Sequence, residues 1–101
     1  MAENIPQELL DFWKKREEIA AIYLLPTSTP KMKDILLWIT QSNLSYFDRL
    51  DLYYPREKRK PDLHVYPITK QEFESWPESI RKTVQETLRR SKLLWKRQDV
   101  D

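Results

Sequence analysis

Two aspartates precede or lie within β-type runs in the middle of the chain, a placement that suits phosphoryl-transfer chemistry. Asp51 lies in the run 50–54 and Asp62 directly precedes the run 63–68, and apolar and polar residues alternate in both runs. Because a short connector joins the runs, we expect a β-hairpin with both carboxylates near one end of a sheet. Mg²⁺-dependent phosphoryl transfer uses carboxylates in this way. Asp51 and Asp62 are therefore the predicted metal ligands and catalytic residues of an active protein, and the alternative is a charged hairpin with solvated aspartates.

Basic side chains form a second candidate set, in the connector of the predicted hairpin and in the last predicted helix. They are Arg56, Lys58, Arg59, Lys60, Arg89 and Arg90. Tyrosines flank the connector, and basic residues interleaved with aromatic ones suit single-stranded nucleic acid, where phosphate charge and base stacking both contribute. The alternative is a set of charges that keeps an edge strand soluble.

The elements that would hold these residues follow from periodicity and capping. Helical spacing predicts a helix over 7–18, and Thr69 with Glu72 forms a capping box at the start of a short helix. The apolar runs 19–25 and 34–40 fit either a helix or a buried strand, and a helix over 31–41 leaves Trp38 off the apolar stripe as a partner contact.

The last predicted helix begins at Ser75 or Pro77 and extends to about Lys96. Its buried stripe is expected to contain Ile80, Val84, Thr87, Leu88, Ser91 and Trp95. Together the elements predict an α+β domain in which a small mixed sheet of about three strands packs against three to four helices.

Length and composition narrow the class of protein. The chain has 101 residues and a formal net charge of +2, which suits one domain over 1–97 with a flexible tail at 98–101. It has no cysteine and no glycine, so thiolate chemistry and glycine-rich phosphate loops are excluded. No apolar run is long enough for a signal peptide or a membrane span, and we expect a cytoplasmic protein without membrane contact.

Three segments resemble the minimal nucleotidyltransferase family of the DNA polymerase β-like superfamily. PDLHVYPITKQEFE (61–74) is similar to the third strand of the family and the helix start that follows it. ETLRRSKLLWKR (86–97) is similar to the closing segment, and AIYLLPTS (21–28) lies where the family has a strand followed by its Gly-Ser turn. The resemblance implies a nucleotidyltransferase-like fold.

The resemblance also implies where the family's chemistry would lie. Asp62 aligns with the third family carboxylate and Asp51 with the second residue of the Asp-x-Asp pair, so that the first falls on Arg49. Pro26-Thr27 or Thr27-Ser28 occupies the Gly-Ser turn. A cation at a ligand position opposes Mg²⁺ binding, so we expect an inactive member without a cofactor, with Mg²⁺ and ATP needed only if the chain is active.

Active members of this family commonly pair with a small all-helical HEPN ribonuclease in toxin–antitoxin modules. The resemblance therefore implies a protein partner of that type and an antitoxin-type role by binding. The alternatives are a small RNA- or DNA-binding module that uses 56–60 and the last helix, and a divergent active enzyme that transfers AMP.

Overall fold

A computed structural model describes residues 5–98, in which a four-stranded mixed β-sheet combines with four α-helices. The elements are α1 (Gln7–Lys14), β1 (Ile19–Leu24), β2 (Lys33–Ile39), α2 (Tyr46–Tyr53), a 3₁₀ turn (Arg56–Lys58), β3 (Leu63–Thr69), α3 (Lys70–Ser75), α4 (Glu78–Arg90) and β4 (Lys92–Lys96). The α+β class and the mixed sheet are confirmed, with four strands where about three were expected.

The predicted tail 98–101 lies, apart from Gln98, outside the described residues, as do residues 1–4. Within 5–98 the longest helix is α4, with 13 residues, and no helix has the length and apolar content that a bilayer span requires.

The sheet has the order β3-β2-β1-β4, so that β3 and β4 form its two edges. Strand β1 runs antiparallel to both β2 and β4, whereas β2 and β3 are parallel. The two central strands account for the apolar runs 19–25 and 34–40, which are therefore strands and not helices. Buried central strands have nearly continuous apolar sequences, and this is why periodicity alone left them ambiguous.

The core lies on the sheet face that α1 and α2 cover. Trp13 of α1 and Tyr53 of α2 are almost fully buried there against Ile22 and Leu37 from the central strands. The Trp13 indole Nε1 donates a hydrogen bond of 2.7 Å to the backbone carbonyl of Tyr53, which joins the two helices. Replacing a buried aromatic of this size by alanine costs about 3–5 kcal/mol.

The predicted strand over 50–54 is wrong, because these residues belong to helix α2 and its C-terminal end. Ser45 caps the helix, and its hydroxyl accepts a hydrogen bond from the Asp48 amide at 3.2 Å. Leu50, Tyr53 and Tyr54 have the i, i+3, i+4 spacing that turns them toward the core. Parallel strands need a crossover connection, and α2 supplies it between β2 and β3.

The end of the last predicted helix also needs correction. Helix α4 stops at Arg90, and Lys92–Lys96 form β4, in which Trp95 pairs with Ile22 of β1. No residue of α4 is buried within the described structure, and Ile80 of the predicted buried stripe is 48% exposed. Val84 and Leu88 of the same stripe are half-buried, so Ile80 is the apolar residue of α4 that is left exposed.

The outer edge of β3 is sealed by groups from α2. The Tyr54 hydroxyl donates to the Leu63 carbonyl at 2.9 Å, and Arg49 Nε donates to the Pro67 carbonyl at 3.1 Å. Pro67 has no amide hydrogen to offer a further strand. These contacts reduce the capacity of β3 to pair with another chain.

Helix α3 begins as the sequence predicts. The Thr69 hydroxyl accepts from the Glu72 amide at 3.0 Å, which confirms this half of the capping box. The Glu72 carboxylate does not return the bond and instead accepts from Arg49, so the cap also ties α3 to α2.

Candidate functional site

Asp34, the second residue of β2, forms more hydrogen bonds than the other carboxylates near the strand ends. It was not among the candidates selected from the sequence. Thr27 Oγ1 donates to its Oδ2 at 2.5 Å. Ser28 accepts from its amide at 2.9 Å, and the Leu25 amide donates to its carbonyl at 2.8 Å. The Asp34 side chain is 13% exposed. Asp34 therefore organises the turn that joins β1 to β2.

His64, the only histidine of the chain, faces Asp34 from β3. The two residues are register partners on the parallel strands, and Nδ1 of His64 lies 3.2 Å from Oδ1 of Asp34. The His64 side chain is 53% exposed. When Nδ1 carries the proton, the carboxylate orients the ring and Nε2 is left as its other polar atom.

A carboxylate–imidazole pair is part of a hydrolytic relay, but the third member is not in place. A relay needs a hydroxyl or thiol bonded to the imidazole. Thr27 Oγ1 and Ser28 Oγ both bond to Asp34 and not to His64. The arrangement therefore orients a polar ring at the sheet end without activating a nucleophile.

The residues around Asp34 do not fit a two-Mg²⁺ site. Within residues 5–98 no group of three or more histidine or acidic side chains is placed to hold a metal ion. The oxygens of Asp34 are engaged by Thr27 and His64, and the next residue on the same strand face, Leu36, is apolar and buried. Two Mg²⁺ ions need several oxygen ligands, and this donor set offers one carboxylate.

Asp62 directly precedes β3, as predicted, but Asp51 lies in α2, so the two carboxylates do not open neighbouring strands as the predicted hairpin required. Asp51 lies on the exposed side of α2 and pairs with Arg59, whose NH2 is 3.0 Å from its Oδ1. Asp62 lies in the turn before β3, and its backbone carbonyl accepts from the Lys33 amide at 2.9 Å. Asp62 lines a cavity of about 170 Å³. Lys31 and Lys33, at the start of β2, and Lys60, before β3, line the same cavity.

Arg49 was expected on a strand in place of a metal ligand, and it is instead a buried residue of α2. Its side chain is 5% exposed and forms an ion pair with Glu72, with 2.6 Å between NH2 and Oε1. Its other nitrogens donate to the carbonyls of Pro67 and Leu44. Arg49 therefore links α2 to β3 and α3. It does not occupy the position of a metal ligand on a strand.

The basic candidates of the connector separate into two groups. Lys58 Nζ lies over the Phe12 ring at 5.3 Å, and the Arg59 guanidinium lies over the Tyr54 ring at 5.7 Å. Lys60 instead lines the cavities beside β3, and Arg56 is exposed on the 3₁₀ turn.

The three remaining residues predicted to contact a partner or nucleic acid are Arg89, Arg90 and Trp38. They lie on the other side of the sheet or near the β1–β2 turn. Arg89 pairs with Glu86 at 2.6 Å, and Arg90 lines a cleft beside the β1–β2 turn. Trp38 is half-buried on β2, where its ring packs edge-on against Phe73 with 5.4 Å between centroids.

Asp34, Thr27 and Ser28 left only a weak signal in the sequence. Thr29-Pro30 has the pattern of a helix start. For this reason the sequence predicts a helix over 31–41 and not a turn followed by a strand. The alternative strand over 34–40 does begin at Asp34, but the pairing with His64 depends on a register that only the folded sheet specifies.

No protein-family model matches this chain, and neither a curated protein nor a solved structure matches it. The geometry around Asp34 and the surfaces of the described residues are therefore the basis on which a function is assigned.

Proposed function

We propose that this protein is a nucleotidyltransferase-like domain without transferase activity that acts by binding a partner protein. The partner we propose is a helical toxin of the HEPN type, with this chain as the antitoxin-type subunit. The observation behind the binding role is the exposure of Ile80 on the apolar side of α4, a helix that has no buried residue.

The inactive state is supported by the residues at the strand openings. The family signature has a Gly-Ser turn, an Asp-x-Asp strand and a third acidic strand. The turn 26–28 leads into β2, where Asp34 and Leu36 are two apart on one face, and His64 is the partner of Asp34 on β3. This alignment replaces the one through Asp51 and leaves one carboxylate where the family has three.

The binding role is supported by apolar side chains that the domain itself does not cover. Ile80 of α4 and Leu93 of β4 are each 48% exposed, and Phe47 of α2 is 74% exposed. Basic residues flank the α4 surface, including Arg81 and Arg89, and they favour an acidic rim on the partner.

Co-expression with a helical protein encoded by the neighbouring reading frame tests the binding role. We expect the two chains to co-elute, and Ile80→Asp to weaken the complex because it puts a charge on the exposed apolar side of α4. Gln85→Asp is the matched control, since Gln85 is exposed on the polar side of the same helix. Failure of any neighbouring product to bind, or equal loss with both variants, would overturn the proposal.

A transfer assay with Mg²⁺ and radiolabelled ATP on the same complex tests the loss of activity. We expect no AMP on either chain. AMP transfer that Asp34→Ala abolishes would identify a divergent active enzyme instead.

A further inference from the structure

A groove runs along the outer edge of β3, between that strand and α2. Its volume is about 440 Å³, within the range of about 300–1,000 Å³ that is typical of ligand sites. The residues that line it include Tyr46, Tyr54, Arg59, Lys60, His64 and Tyr66. The groove adjoins the Asp34 turn through His64, which bonds to Asp34, and none of its lining residues belongs to α4.

Two tyrosines provide aromatic surface at this groove. Tyr66 is 38% exposed and Tyr46 is half-buried. Both residues line the same groove. Exposed aromatic faces at the rim of a groove are suited to stacking against flat ring systems.

The polar side chains of the groove are cationic or neutral, and no carboxylate among residues 5–98 lines it. Arg59 is already paired with Asp51, and His64 with Asp34. Lys60 is the cation of the groove for which no carboxylate partner is found within residues 5–98, although its backbone is held by the Tyr54 hydroxyl. The groove therefore favours a ligand with an anionic group beside Lys60.

Lys60 also joins the groove to a longer basic surface. It lines the adjoining cavity of about 170 Å³ with Lys31, Lys33 and the single acid Asp62. Lys33 in turn lines the cleft that contains Arg90. A ligand with one phosphate would use only part of this surface, whereas a chain of phosphates would follow it from β3 to the end of α4.

We propose that this groove and the adjoining lysines bind single-stranded nucleic acid. A base stacks on Tyr66 beside Tyr46, and the following phosphates lie along Lys60, Lys31 and Lys33. An acidic peptide would match the charge but would leave the tyrosine faces unused. The site is independent of the proposed protein partner, because the groove and the exposed side of α4 are built from different residues.

Fluorescence anisotropy with a short labelled oligouridine and the full-length chain tests this proposal. We expect binding at low salt, with an affinity that falls by about 0.7 log unit per log unit of salt for each phosphate contact. Tyr66→Ala should lower the affinity by about fivefold or more because it removes a stacking surface. Lys60→Glu should lower both the affinity and the salt dependence.

Lys15→Glu is the control for Lys60→Glu, since it makes the same change in charge at an exposed site after α1. It should leave binding within about twofold of the unmodified protein. Thermal unfolding followed by circular dichroism identifies any variant that has lost its fold, and Tyr66→Leu then replaces Tyr66→Ala.

Three results would overturn the proposal. One is the absence of oligouridine binding at low salt. Another is binding of an oligoglutamate peptide of matching charge with equal affinity and no effect of Tyr66→Ala. The third is binding of uridine monophosphate as tight as that of the strand, which would assign the groove to a free nucleotide. None of these results bears on co-elution with a protein partner.

Discussion

Asp34 and His64 face each other across the parallel strands β2 and β3, with Oδ1 and Nδ1 3.2 Å apart. The two sides of this contact differ in their surroundings. Asp34 is 13% exposed and also accepts a hydrogen bond from Thr27, whereas His64 is 53% exposed. Polar contacts with one exposed member contribute little, about 0–1 kcal/mol. The carboxylate is therefore chiefly a support for the β1–β2 turn.

Asp34→Ala should destabilise the protein far more than His64→Ala does. We expect Asp34→Ala to cost about 1–3 kcal/mol, because it removes the charged acceptor of the Thr27 hydroxyl bond, a carboxylate that is only 13% exposed. His64→Ala should cost less than about 1 kcal/mol. Urea unfolding followed by tryptophan fluorescence measures both. Equal losses would show that the histidine contact, and not the turn, is the stabilising feature.

The parts of this fold that sequence predicts are those whose signals are local. Strand β3 and the Thr69 cap of α3 depend on alternation and on one side-chain bond, and both were found where expected. The segment 50–54 failed because its sequence fits period two as well as a helix. The parallel pairing of β2 with β3, which is a property of the whole sheet, requires a helix there.

The candidate site was harder to predict for the same reason. Asp51 and Asp62 were chosen from an expected hairpin, and the sheet instead brings Asp34 next to His64, 30 residues away. The basic residues were recognised by type, but the sequence does not show that Lys58 covers Phe12 while Lys60 lines a groove. Such differences depend on packing between elements that are distant in the chain.

Arg49→Met should be among the most destabilising polar substitutions in the protein. It leaves the Glu72 carboxylate and the carbonyls of Leu44 and Pro67 without their donor. Breaking one side of a buried ion pair costs about 3 kcal/mol or more, and the 28% exposure of Glu72 brings the expected loss to about 2–3 kcal/mol.

Arg89→Met is the matched control for this variant. Arg89 forms an ion pair with Glu86 of the same length, 2.6 Å, but both side chains are exposed on α4. Its loss should cost less than about 1 kcal/mol. Arg49→Lys should be destabilised as well, because an ammonium group cannot reproduce the fixed donor directions of the guanidinium. Similar midpoints of urea unfolding for Arg49→Met and Arg89→Met would contradict the assigned role of Arg49.

The raised pKa of Tyr53 predicts that the protein loses stability at alkaline pH. Burial, followed by the hydrogen bond of 2.6 Å that its hydroxyl donates to Glu18, raises the pKa of Tyr53 above its ordinary value of 10.0. In the unfolded chain the phenol ionises from about pH 10, while the folded protein keeps its proton. The free energy of unfolding is therefore unaffected by this group below pH 10 and decreases as the pH rises above it.

Tyr53→Phe removes this contribution. We expect a cost of about 1 kcal/mol near neutral pH from the lost hydrogen bond, together with a weaker decline of stability above pH 10. Urea unfolding at several alkaline pH values measures the decline. Tyr46 and Tyr54, whose pKa values burial also raises, remain in the variant and retain part of it. An unchanged decline would show that Tyr53 ionises alike in the folded and unfolded states.

Trp38 was predicted to contact a partner, and its contact with Phe73 indicates that it packs within the domain instead. Their rings meet edge-on with centroids 5.4 Å apart, and Phe73 also contacts Trp76 at 5.9 Å. Such aromatic pairs contribute about 0.5–1.5 kcal/mol beyond area burial. A double-mutant cycle of Trp38→Ala and Phe73→Ala should therefore show a coupling energy of about 1 kcal/mol in urea unfolding. If the effects on stability simply add, while Trp38→Ala alone weakens the partner complex, then Trp38 serves the interface and not the attachment of α3.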